Sequence, residues 1–82
     1  MVAKSTHKLV CSQVARLLRE ERLRQHLSMT QLAERAGLSQ QSVSYIEREM
    51  RIPNLDTLLR IAEVLEIDLA DLIKTASKAA AK

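Results

Sequence analysis

An all-α bundle of five short helices is the fold that this sequence predicts, and three observations predict it. Apolar residues make up 46% of the 82 positions, yet there is no Phe or Trp and a single Tyr, so the core must be aliphatic. One Gly and one Pro among abundant Leu, Ala, Arg and Glu favour helices over strands. Leu, Ile, Val and Ala recur at three- and four-residue spacing in several separate segments, as amphipathic helices require.

Residues 1–8 (MVAKSTHK) carry no periodicity and are expected to form a flexible arm. A first helix over about residues 9–25 places Cys11, Val14, Ala15 and Leu18 on one stripe, which Arg22 interrupts. A charge there needs a partner, because burying an unpaired one is costly. A second helix over about residues 29–36 opens with a capping box, Ser28 followed three residues later by Gln31. Gly37 can take the left-handed conformation that ends it. Ser39 caps a third helix over about residues 40–47, which turns Val43 and Ile46 inward and Gln40, Gln41, Ser44, Tyr45 and Arg48 outward. Ile52-Pro53-Asn54 closes a loop and caps a fourth helix over about residues 55–65, with Leu55, Leu58, Leu59, Ala62 and Leu65 on one stripe. Asp68 caps a fifth carrying Leu69, Leu72 and Ile73. The expected domain spans residues 9–75, with 76–82 as a frayed or helical tail.

The second and third helices are joined by a turn so short that they must cross closely, which suits the methyl-sized Ala33. Such a helix-turn-helix presents an outward face able to reach base edges and phosphates. Charge is distributed to match: residues 1–51 carry nine Lys and Arg against five Asp and Glu. Residues 52–71 carry one against five, and residues 72–82 three lysines and no acid. A basic half that contains the outward-facing helix is the electrostatic footprint of a nucleic-acid binder.

Other chemistry finds no support. Cys11 is the single cysteine, so no disulfide within the chain and no cysteine-rich zinc site can form, and it reads as a small core residue. His7 and His26 are too isolated for a metal site. No catalytic constellation or phosphate-cradling glycine loop is present, so no enzyme activity, cofactor or small-molecule ligand is expected. With no apolar run near the roughly 20 residues a bilayer demands, the expected location is the cytoplasm, without membrane association.

From Arg16 to Ile73 the chain resembles the XRE family, the helix-turn-helix domains of Cro and the lambdoid phage repressors. Arg22 seven residues before the second helix, LAERAGLSQ, QQSVSYIE, Pro53 after the loop and LLRIAEVLEIDLADLI carry the resemblance. It implies a homodimeric transcriptional regulator, a repressor or autoregulator, that sets its third helix in the major groove of a near-palindromic operator. Gln40 and Gln41 would read bases, since a glutamine amide can donate to N7 and accept from N6 of adenine. Ser44 and Tyr45 share that face. Met29, Thr30, Arg48, Arg51 and Asn54 would meet phosphates, through first-turn amides in the case of Met29. Arg22 and Glu47 would form a partly buried ion pair. Ile67, Leu69, Leu72 and Ile73 are the candidate dimer surface. Met29 stands where the family usually has a Gln that braces the first reading residue, and His26 and Glu49 stand where glycines are common. An alternative is a protein-interaction module such as an antitoxin or coactivator-like domain, whose partner would be another protein.

Overall fold

Each segment of helical periodicity becomes a helix in the computed structural model, which describes residues 6–81. The elements are α1 (Thr6–Arg24), α2 (Met29–Ala36), α3 (Gln40–Glu47), α4 (Leu55–Leu65) and α5 (Leu69–Ala80). No strand occurs among the described residues, and no helix there is long and apolar enough to cross a membrane. Side-chain oxygens of Ser28, Ser39, Asn54 and Asp68 accept first-turn amides of α2, α3, α4 and α5. These are the groups a helix start cannot pair internally. Around Ser28 the box is complete, because the Gln31 side chain accepts the Ser28 amide in return.

The helix ends share one device. After α1, α2, α3 and α4 a residue takes a left-handed conformation: His26 (φ 60°), Gly37 (φ 71°), Glu49 (φ 60°) and Glu66 (φ 58°). In each case its amide donates three residues back and the next amide donates five back, as Leu27 to Arg22 O, Leu38 to Ala33 O, Met50 to Tyr45 O and Ile67 to Ala62 O. That double bond pattern is the Schellman stop, and it places an apolar residue directly after each turn. His26 and Glu49, standing in glycine-rich positions of the family pattern, adopt the glycine-like backbone itself.

Nine buried aliphatic residues make one core: Val14, Leu18, Leu32, Ala33, Val43, Ile46, Ile61, Leu65 and Ala76. Leu17 and the α1 carboxyl end lie beside Asp68, Asp71 and Leu72, while Val10 to Ala15 lie on the side of Ile73, so α1 and α5 run antiparallel. Gln25 fastens the end of α1 to the end of α4, its side-chain Nε2 donating to Leu65 O at 2.7 Å.

This packing bears on three expectations. Residues 6–8 are helical rather than part of an arm, and residues 1–5 lie outside the described residues. Thr6, His7 and Lys8 are exposed, so they add helix without adding apolar period. Of the two alternatives for the tail after residue 75, frayed or helical, the helical one is seen as far as Ala80, with Ala76 0% exposed. Leu69 is buried in the protomer's own interior, and Ile67 and Leu72 pack on the core, leaving Ile73 alone exposed among the four residues expected to form a dimer surface. Asp68 starts α5 so that Leu69, Leu72 and Ala76, at three- and four-residue spacing, share the inward face.

Candidate nucleic-acid interface

Helix α3 is held from behind so that its polar side faces out. Val43 and Ile46 sink into the core, whereas Gln40, Gln41 and Arg48 are exposed and Ser44 and Tyr45 half-buried. Two fastenings set its attitude. Arg22 on α1 meets Glu47 at the end of α3 through two parallel bonds, Nε to Oε2 at 2.6 Å and Nη2 to Oε1 at 2.8 Å. Its remaining nitrogen, Nη1, donates to Leu27 O at 2.7 Å, in the turn that leads to α2. One planar guanidinium therefore grips both ends of the α2–α3 unit, a geometry that Lys cannot reproduce. The pair is shielded, with side chains 8% and 5% exposed, and the Glu47 carboxylate holds the Arg22 pKa above its ordinary value. The second fastening is Ser12 Oγ, which donates to Glu49 Oε1 at 2.7 Å across α1 and the turn after α3.

These bonds also shape the charge around α3. Glu47 is turned inward onto Arg22, and Glu49 is drawn toward Ser12. Arg48 and Arg51 are left as exposed charges beside the outward face. Arg51 sits over the Tyr45 ring, its Cζ 5.0 Å from the centroid. Tyr45 in turn accepts a hydrogen bond at its hydroxyl from Gln41 Nε2 at 2.7 Å. Gln41, Tyr45 and Arg51 thus form a connected row from the first turn of α3 to the following loop. Gln40, by contrast, has no side-chain hydrogen bond among the described residues, and Met29 packs against the core rather than bracing it.

The remaining candidates are placed as follows. Asn54 Oδ1 accepts the Thr57 amide at 2.8 Å, which leaves the Asn54 amide N–H groups for another acceptor. Thr30 is exposed on the first turn of α2. Ser28 Oγ takes the Gln31 amide, so the amides of Met29 and Thr30 remain without intrahelical partners. Cys11 is half-buried at the edge of an apolar groove of about 390 Å³ with Val10, Pro53, Leu58 and Ile73. No group of His, Cys, Asp and Glu suited to a metal ion occurs among the described residues. Reasoning from sequence did not find the Gln41–Tyr45 bond, although the four-residue spacing on a helix is a usable signal. It also missed the Arg51–Tyr45 and Ser12–Glu49 contacts, which depend on the path of the loop. Leu55 and Leu59, expected on the apolar stripe of the fourth helix, are instead 63% and 50% exposed, and Met50 and Ile52 in the preceding loop are 60% and 65% exposed.

Comparison with known proteins places this arrangement. The family model described as Helix-turn-helix (HTH_3) matches residues 18–72. An uncharacterized HTH-type transcriptional regulator of Mycobacterium tuberculosis is 44% identical over 50 residues, covering 61% of this chain and 36% of that protein, and its counterpart in a second strain matches equally. The ImmF control region 10 kDa protein of Bacillus phage phi105 is 36% identical over 53 residues, 65% of this chain and 59% of its own. The chain spans just over a third of the length of the mycobacterial relatives. No solved structure matches.

Proposed function

Because the chain belongs to the XRE-type helix-turn-helix family, we propose that it binds double-stranded DNA sequence-specifically and regulates transcription, as a repressor or autoregulator that occupies an operator. The observation that carries the reading is the outward face of α3, where two exposed glutamines stand beside Arg48 and Arg51 while the neighbouring acids are engaged elsewhere. In this reading α3 enters the major groove. Gln40 and Gln41 meet base edges, with Ser44 and Tyr45 flanking them. Arg48, Arg51, Asn54 and the first-turn amides of α2 at Met29 and Thr30 hold the phosphates on either side. The protein acts as a homodimer whose two reading helices lie about 34 Å apart, meeting successive major grooves of a near-palindromic site. Ile52, Leu55 and Leu59, exposed on the loop and on α4, supply the contact between copies.

Selection from a randomised DNA pool tests the reading. Wild-type protein is expected to enrich a near-palindrome, and Gln41→Ala to lose preference at one symmetric pair of positions. Failure of the folded protein to enrich any sequence at low salt would overturn the proposal and favour a protein partner instead.

A further inference from the structure

The apolar groove beside Cys11 takes no part in the DNA-binding reading. Its walls come from the first turns of α1, the end of α3, the loop after it, α4 and the middle of α5, and its volume is about 390 Å³. We infer that this groove binds a free medium-chain fatty carboxylate, with the alkyl tail along the apolar walls and the carboxylate toward Lys8 and Arg51. Binding at the groove needs no DNA; its effect on DNA affinity, through Arg51, rests on the reading above. Reasoning from sequence expected no small-molecule ligand, because these walls meet only in the fold.

Size and wall chemistry set the class of ligand. Val10, Val14, Ile46, Pro53, Leu58 and Ile73 supply the apolar walls. Val14 and Ile46 are buried, whereas Ile73 is partly open to solvent, so the groove runs from the core to the surface. Small-molecule sites are typically about 300–1,000 Å³, mostly apolar, with a few polar groups that fix orientation. No aromatic ring lines this one among the described residues. Aliphatic walls with few polar atoms suit a saturated chain and give a polar metabolite little to bond.

The charged groups set the sign of the head group. Lys8 and Arg51 line the groove as cations, against the single acid Glu49 among the described residues. Ser12 Oγ donates to Glu49 Oε1 at 2.7 Å, which draws that carboxylate toward α1. Both cations are exposed and keep their N–H donors for an anion. A carboxylate therefore meets a net positive charge, and an ammonium would meet two cations. Arg51 also links the groove to DNA, because it is one of the proposed phosphate contacts. One guanidinium cannot serve both anions fully, so ligand and DNA compete, and by linkage each weakens the other by the same factor.

Cys11, the single cysteine, lies in the groove wall and reports on occupancy. Its labelling by a thiol-reactive dye is followed as decanoate is added below its micelle concentration, with circular dichroism checking that the helices persist. Decanoate is expected to slow labelling saturably, at one molecule per chain. Each CH₂ added from hexanoate to decanoate should tighten binding about three- to fourfold. Decylamine, with the same tail, should bind more weakly by about tenfold or more. Lys8→Gln should weaken decanoate binding about two- to fivefold. Ile73→Glu, an acid placed at a partly exposed position, should abolish it. Saturating decanoate should weaken DNA binding by wild type about fivefold and leave that of Ile73→Glu unchanged. Equal binding of decylamine, or no slowing by decanoate, overturns the inference. Slow labelling without decanoate also overturns it if dilution speeds it, which marks a second copy in the groove. The same holds if deleting residues 1–5 speeds it, which marks the chain's own amino end. Protection of Cys11 with unchanged DNA affinity keeps the site and overturns its link to DNA. A folded wild-type protein that selects no DNA overturns the DNA-binding reading, while Cys11 still decides the site.

Discussion

Truncating Arg22 to alanine tests how the outward helix is held in place. The change strands the Glu47 carboxylate, 5% exposed, with Arg19 as its nearest remaining cation at 4.0 Å and that side chain mostly in solvent. It also removes the Arg22 donor from the Leu27 carbonyl. Removing one partner of a buried pair costs about 3–5 kcal/mol. Arg19 can swing closer, so the low end applies, about 3 kcal/mol. A domain of this length is stable by about 4–12 kcal/mol in all. At about 4–8 °C per kcal/mol, the melting temperature should fall by about 12–24 °C. Glu47→Ala should cost a similar amount, because Arg22 keeps the Leu27 carbonyl but loses both carboxylate oxygens. The double replacement Arg22→Met with Glu47→Leu removes both charges and fills their volume, so it should recover most of the loss. Urea unfolding followed by far-ultraviolet circular dichroism measures all four proteins, with midpoints compared at constant slope. Single variants with unchanged midpoints would refute the reasoning, as would a double variant whose cost is the sum of the singles.

Further outcomes follow from the same structure. Glu66→Gly should raise stability by about 1 kcal/mol in thermal melts, since a side chain at φ 58° carries a steric cost that glycine escapes. Gly37→Ala should do the reverse by at least as much, because φ is 71° and the new Cβ would lie 3.0 Å from Arg60 Nη1. Arg51→Ala should weaken DNA binding at all sequences and lower the salt dependence by about one counterion, measured as the slope of log affinity against log salt. If the proposed homodimer forms through this surface, Leu55→Glu should leave the helical content intact and shift the association measured by sedimentation toward monomer by more than tenfold, because Leu55 is 63% exposed on the single chain. Glu21 has a pKa below the ordinary 4.5 because Arg24 and Gln25 hydrogen-bond its carboxylate. A lowered folded pKa gives stability that is complete above the unfolded value and lost as pH falls through the folded one. Glu21→Gln should therefore flatten the decline in melting temperature below the ordinary carboxylate range and leave its shape at neutral pH unchanged.

Much of the fold was legible because its signals are local. Ser28, Ser39, Asn54 and Asp68 mark helix starts by side-chain chemistry alone, and the aliphatic period between them shows the inward faces except on α4, where Leu55 and Leu59 are exposed and Ile61 is buried. The start of α1 was hidden because Thr6, His7 and Lys8 face solvent, where periodicity leaves no trace. Ala76 was hidden for another reason. A methyl group gives little apolar signal, and Ala76 is completely buried in a core that includes Val14 and Leu18 of α1, far away in sequence. The Leu69 stripe was legible as a face that needs covering, yet a stripe cannot say whether its own protomer or a second copy covers it. At the candidate interface, the outward placement of Gln40 and Gln41 follows from 100° per residue on a helix capped at Ser39. The bonds among Gln41, Tyr45 and Arg51 needed rotamers and a loop path, which spacing does not supply.

The repeated helix stop bears on how such a protein could acquire a new target sequence. Changes on α3 that alter base preference tend to lower stability, and a small domain tolerates few of them. His26, Glu49 and Glu66 each hold a left-handed turn with a side chain that turn does not require, and the apolar residue after each keeps the chain on course. His26 and Glu66 lie away from the row that faces outward on α3. Glycine at those two positions would therefore offset destabilising changes made in α3 without touching Gln41, Tyr45 or Arg51. The turns act as a tolerance built into the scaffold, separate from the face whose specificity would be rewritten.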